Sequence, residues 1–298
     1  MPSPELSRAR DLLGHLVSEP DATMDDYRRL YDEVCANFEV PADAEVVPVD
    51  AGGVPALWVS APGTGREYAV VLLHGGGWCM GNARGYREWA YRISQAADCR
   101  VLVVDYRLAP EHQFPAQLDD AVTAYRWARS QPGVRRVAFV GDSAGGGLAV
   151  SALLRLRDDG DPPPAPSVVC SPLVDLAGEG ASITERAHLD PLPAAALVTA
   201  LGGAYLGGRD PKATPLASPL YADLHGLPRL RVLVGTDEGL HDDSVRLAEK
   251  INASGGRAEL EIGEGMVHIW PIFTFLPEAH TATEGIGEFL GKGFAEPA

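Results

Sequence analysis

The five residues Gly141-Asp142-Ser143-Ala144-Gly145 stand directly after the apolar run 137–140 and directly before a helix-forming stretch. A G-x-S-x-G pattern between a strand and a helix puts the serine on a tight turn with its hydroxyl oxygen exposed. The helix start behind it offers free N–H groups and a positive dipole end to an oxyanion. A second run, His74-Gly75-Gly76-Gly77-Trp78, follows the apolar residues 68–73. Three glycines after a strand expose backbone N–H groups without side-chain obstruction, and acyl transfer needs two or three such donors aimed at one point. Neither G-x-G-x-x-G nor a G-K-[ST] ending is present, which sets aside a dinucleotide or phosphate cradle.

Such a site needs strands that bring both loops together. Short apolar runs occur at 46–49, 56–59, 68–73, 101–105, 137–140, 167–170, 230–234 and 260–262. Helical patterns near 86–97, 118–130, 148–157, 243–253 and 281–290 fall between and after the later ones, which predicts βαβ units and a mostly parallel sheet. The first two runs are joined through Gly52-Gly53, with no room for a helix, so that pair is expected to be antiparallel. In residues 1–40, Leu12, Leu13, Leu16 and Val17, then Tyr27, Leu30, Tyr31 and Val34, recur at helical steps. Residues 176–215 are rich in Pro, Gly and Ala, have no strand pattern, and read as an insertion over the carboxyl edge of the sheet, where open α/β sheets bind ligands. The expected division is a helical cap segment at 1–40, a core at 41–175 and 216–298, and a cap insertion at 176–215.

The chain has 298 residues and a formal charge of −16, with 46% hydrophobic and 22% charged residues, as in ordinary soluble globular proteins. It has no Lys/Arg cluster, which disfavours nucleic acid and anionic membranes as partners. Cys35, Cys79, Cys99 and Cys170 lie far apart with no metal-ligand spacing, so neither a metal site nor a disulfide framework is expected. Spaced thiols, an N-terminus without an apolar h-region and a longest uncharged run (191–208) broken by prolines and glycines predict a cytoplasmic protein.

HGGGW at 74–78, DYRLAPEHQFPAQLDDA at 105–121, GDSAGG at 141–146 and SPL at 218–220 together resemble the hormone-sensitive-lipase-like branch of the α/β-hydrolases. The similarity runs from about residue 45 to 292, with a looser match in the N-terminal helices. It implies an α/β-hydrolase fold: a mostly parallel eight-stranded sheet flanked by helices under a helical cap. It also implies a serine carboxylesterase that uses no cofactor and no metal. Carried over by position, the oxyanion donors are the N–H groups of Gly76, Gly77 and Ala144.

Of eight histidines, His268 in Gly265-Met266-Val267-His268-Ile269-Trp270 sits on a short loop after the last strand and satisfies the Ser…acid…His order of this fold. His280 falls in a helical stretch, His15 and His188 in the cap, and His74 reads as a brace of the oxyanion loop. The acid departs from the family pattern, an aspartate three residues after a strand-ending glycine and followed by Pro-Leu. The same count from Gly235 gives Glu238, within Gly235-Thr236-Asp237-Glu238-Gly239-Leu240. A glutamate can accept from Nδ1–H as an aspartate does. Asp237 and Asp242 are within reach of the same loop; Asp242 is the fallback acid, although Asp242 and Asp243 also read as charges at a helix N-terminus. Trp78, Leu173, Tyr205, Leu240 and Ile269 are candidate pocket walls. Arg107, Glu111, Asp119 and Asp120 read as structural braces, and Cys79 as packing.

The expected reaction is two-step acyl transfer from a small-molecule ester of a small or medium acyl group, lactones included. A deacetylase cleaving an acetylated small metabolite would use the same residues and is the alternative. Binders built on this scaffold lack the histidine, and dehydratase variants carry threonine at the nucleophile; Ser143 and His268 argue against both. A cap made mostly of Ala, Gly and Pro argues against action at a lipid surface. The resemblance suggests a homodimer through the last strand and helix, while a monomer is equally compatible with the pattern.

Overall fold

The structure, a computed structural model, describes residues 2–19 and 21–296. Eight strands form one sheet: β1 (Glu45–Asp50), β2 (Pro55–Ser60), β3 (Tyr68–Leu73), β4 (Arg100–Val104), β5 (Arg136–Asp142), β6 (Ser167–Cys170), β7 (Leu230–Gly235) and β8 (Ala258–Gly263). Their order is β1-β2-β4-β3-β5-β6-β7-β8. β2 runs antiparallel to both β1 and β4, and every other pairing is parallel. The sheet, its strand positions and its antiparallel first pair match the sequence-based expectation.

The helices follow as α1 (Leu6–His15), α2 (Met24–Cys35), α3 (Arg87–Ala97), α4 (Ala116–Ser130), α5 (Ser143–Asp158), α6 (Ser182–Glu185), α7 (Ala194–Leu206), α8 (His241–Ala253) and α9 (Pro277–Ala295). Right-handed crossovers put α4, α5 and α8 on one face of the sheet and α3, packed against α9, on the other. Strands covered on both faces need no polar side, which explains the unbroken run of Ala69 to Leu73 in β3, fully buried throughout. α5 begins at Ser143 itself, earlier than its apolar periodicity suggests, because Gly145-Gly146-Gly147 carry no apolar signal.

Parallel register aligns the strand ends. Leu73 pairs with Gly141, Asp142 with Cys170, Cys170 with Leu233 and Gly235 with Gly263. The loops leaving β3, β5, β6, β7 and β8 therefore open at one edge. Among the described residues, no helix is long and apolar enough to cross a membrane.

Candidate active site

β5 delivers Ser143 to the start of α5 with φ +51°, a left-handed conformation uncommon for a residue with a side chain. Neighbouring backbone enforces it: a Cβ on Gly145 would come 2.0 Å from the carbonyl oxygen of Leu73, so only glycine lets the turn close against the end of β3. The serine Oγ lies 3.0 Å from His268 Nε2, and His268 Nδ1 lies 2.7 Å from Glu238 Oε2. An ionised carboxylate only accepts, so Nδ1 carries the proton and Nε2 is free to accept from the serine hydroxyl.

The second carboxylate oxygen of Glu238 is also taken. Oε1 accepts from the Gly235 N–H and from the Ser171 hydroxyl, each at 2.7 Å. Ser171 Oγ in turn accepts from the Ile269 N–H at 3.0 Å, which ties the acid loop to the histidine loop. Glu238 and Ser171 are completely buried. Burial alone would lower the His268 pKa; the bond and charge of Glu238, followed by the charges of Asp190 and Asp142, outweigh it and hold the imidazole above its ordinary range.

Asp242, the fallback acid, does not meet the histidine. Its carboxylate accepts from the Ser182 N–H at 3.0 Å and lies beside His241, because the turn into α8 carries it towards the insertion. Asp237 pairs with Arg10, and Asp243 accepts from the N–H groups of Val174 and Asp175.

Gly76, at φ +103°, and Gly77, at φ +61°, turn the loop after β3 towards Ser143, and a Cβ on Gly76 would come 2.3 Å from the Met80 carbonyl oxygen. Among the described residues, no hydrogen bond uses the N–H of Gly76 or of Gly77. The Ala144 N–H lies in the first turn of α5, where a helix has no internal acceptor to offer. Gly76 and Gly77 line the same cleft as Ser143.

Asp142, which the sequence reading left without a role, braces this loop. Its Oδ1 accepts from the Gly75 N–H at 3.0 Å and its Oδ2 from the Tyr86 hydroxyl at 2.8 Å, while Tyr31 bonds to Tyr86 at 2.6 Å. Burial pushes the Asp142 carboxyl up to about 7. His74 fills the bracing position expected of it: Nδ1 donates to the Gly75 carbonyl at 2.8 Å, the ring stacks on Tyr106, and burial lowers it to about 4, leaving it neutral. Arg28 of α2 donates to the carbonyls of Cys79 and Ala109 and forks onto Glu111. Arg107 forks onto Asp120. The Cys79 thiol is pushed up to about 12 by burial, which suits packing rather than nucleophilic attack.

Above the serine lies a cleft lined mostly by apolar side chains. Leu13, Leu16, Val17, Tyr27 and Tyr31 wall it from the N-terminal side; Leu197, Val198 and Leu201 of α7 wall it from the insertion. Leu173, Leu240 and Ile269, expected as pocket walls, line it. Trp78 and Tyr205 do not. They stack on each other, centroids 4.1 Å apart, and both are buried, so their aromatic area goes to packing the loop after β3 against α7. Among the described residues, no group of three or more His, Cys, Asp or Glu side chains is arranged to hold a metal ion.

The α/β hydrolase fold family matches residues 70–272. A solved esterase of the bacterial hormone-sensitive lipase family aligns with a TM-score of 0.95 and 43% identity, over 99% of this chain and 100% of that one. The chain belongs to the hormone-sensitive-lipase-like branch of the α/β-hydrolase family. An acetyl-hydrolase of Streptomyces hygroscopicus is 40% identical to it over 99% of both proteins. The esterase LipU of Mycobacterium tuberculosis is 34% identical over 77% of this chain and 79% of its own length. This hydrolase is an enzyme of the carboxylesterase type. In the loop after β7 it carries Glu238-Gly239, where the resemblance implied Asp-Pro.

Proposed function

We propose that the enzyme cleaves carboxylic esters of small to medium, uncharged acyl groups through Ser143 as nucleophile, His268 as base and Glu238 as acid. The observation that carries this reading is the hydrogen-bonded row from Ser143 through His268 to Glu238 at the floor of an apolar cleft. Ser143 attacks the ester carbonyl as His268 Nε2 takes its proton, and Glu238 stabilises the imidazolium. The N–H groups of Gly76, Gly77 and Ala144 receive the oxyanion. His268 then protonates the departing alcohol, and water enters by the reverse path to release the acid. Residues 1–40 and 176–215 act as the cap that sizes the acyl pocket.

The acetyl-hydrolase relative supports an acetyl ester or amide as the second reading, since the same residues serve either bond. Lactones fall within the same chemistry. Hydrolysis of p-nitrophenyl acetate, butyrate and octanoate beside a matched acetanilide tests both. We expect turnover on the short esters that falls by roughly three or more orders of magnitude in Ser143→Ala, with the fold intact by circular dichroism. Near-normal turnover in that variant would remove the assignment, and amide cleavage without ester cleavage would make the enzyme a deacetylase.

The buried free thiols of Cys79, Cys99 and Cys170 support a reducing, cytoplasmic setting. The open edge strand β8, with Ile262 47% exposed, supports pairing of two copies along β8 and α9. Light scattering that gives a monomer mass at micromolar concentration would remove the dimer.

A further inference from the structure

One polar group facing the cleft has no part in the acyl-transfer scheme. Asp190 stands between α6 and α7 and lines the cleft. Its Oδ1 accepts from the Leu192 N–H at 2.9 Å, a side-chain turn that leads the chain towards α7. Its Oδ2 accepts from the Gly239 N–H at 2.7 Å, and Gly239 directly follows Glu238.

Other groups grip the same loop. The Ser182 hydroxyl donates to the Gly239 carbonyl at 2.7 Å, Arg186 donates to the Thr236 carbonyl, and Arg10 of α1 pairs with Asp237. Gly239 therefore has both backbone groups held by side chains of the insertion. A proline at 239 would have no N–H to give. A Cβ at 239 would come 2.5 Å from the Cβ of Ala194, at the start of α7, so the close fit of insertion and acid loop depends on glycine.

We propose that Asp190 is a positioning residue for the acid: by holding the Gly239 N–H it fixes the loop that aims Glu238 at His268, and it sets a further negative charge beside the imidazole. The inference rests on the proposed roles of Ser143, His268 and Glu238. A glutamate has one more rotatable bond than an aspartate, so its aim depends more on the backbone that carries it, and misplacement by about 1 Å costs roughly 100-fold in rate. The charged groups facing His268 are Glu238 from the loop after β7, Asp190 from the insertion and Asp142 from the end of β5; all three favour the protonated ring. Asp190 makes no hydrogen bond to His268, so it acts through the loop and through its field.

The test is steady-state kinetics on p-nitrophenyl butyrate across pH, with wild type, Ser143→Ala, Asp190→Ala and Asp190→Asn. Asp190→Ala is expected to lower kcat roughly tenfold with KM within about twofold. Asn keeps an oxygen to accept the Gly239 N–H, so Asp190→Asn is expected to recover most of kcat. Without the charge its imidazole loses a proton more readily, and the acid limb of kcat/KM moves to lower pH. An Asp190→Ala enzyme with wild-type kcat, or an Asp190→Asn enzyme as impaired as Asp190→Ala, would overturn the proposal. Should Asp190→Ala fail to fold, Asp190→Asn decides alone: an acid limb at the wild-type pH overturns it. Turnover surviving in Ser143→Ala would instead remove the underlying mechanism, so the two failures are distinct.

Discussion

Glu238 has every acceptor position that matters occupied: Oε2 by His268, Oε1 by Gly235 and Ser171. That saturation would hold a flexible side chain in the fixed position that the proposed acid needs. Glu238→Gln removes the charge while keeping the shape, so it should lower kcat by roughly 100-fold or more, as wrong-tautomer histidines do. The sign of its pH effect also follows. Glu238 is the main group holding the His268 pKa up against burial, so its loss lets the imidazole give up its proton at lower pH. The acid limb of kcat/KM should therefore move down, measured on a neutral ester whose own ionisation does not change. Ser171→Ala removes one donor to Oε1 and the acceptor for the Ile269 N–H; we expect kcat to fall roughly tenfold with little change in KM, by the same assay.

At the scale of elements, one side chain of α2 ties several segments together, since Arg28 reaches the carbonyls of Cys79 and Ala109 as well as Glu111. Arg28→Ala leaves two half-buried carbonyls without their donor. It should lower the melting temperature by a few degrees, about 1–2 kcal/mol, and kcat/KM several-fold, read by calorimetry and ester hydrolysis. The strands and the two glycine-bearing loops were legible in the sequence because their signals are contiguous: an apolar run, then a run of small residues. The same contiguity pointed to Glu238 through a count from Gly235. The partners that hold these residues were not legible. Ser171 lies 67 residues from Glu238, and Asp190 lies 49 residues from Gly239, so only the folded sheet edge brings them together. Trp78 and Tyr205 misled for a related reason: an aromatic beside a motif can face the cleft or the core, and the rotation of α7 decides which.

At the scale of the molecule, two fully buried carboxyls bear on stability. Burial raises both Asp142 and Asp243 to about 7, from an ordinary value near 3.8. A carboxyl whose folded pKa lies above its unfolded one binds protons more strongly in the native state, so stability declines as pH rises between the two values. His268, raised above 6.5, acts in the same direction, while His74, lowered to about 4, opposes only below 6.5. The melting temperature should therefore fall between pH 6.5 and 8, by on the order of 1 kcal/mol in stability. Asp243→Asn, which keeps an oxygen for the Val174 and Asp175 N–H groups, should flatten that slope. The cleft walls have a different consequence. Many of them come from α1, α2 and α7 and the chain beside them, while every hydrogen bond among Ser143, His268 and Glu238 is made beneath them. Side chains of α1, α2 and α7 that only face the cleft can thus be changed without removing any hydrogen bond among Ser143, His268 and Glu238. A mutational library confined to Leu16, Val17, Leu197 and Val198 could retune substrate choice by directed evolution while leaving the reacting groups untouched.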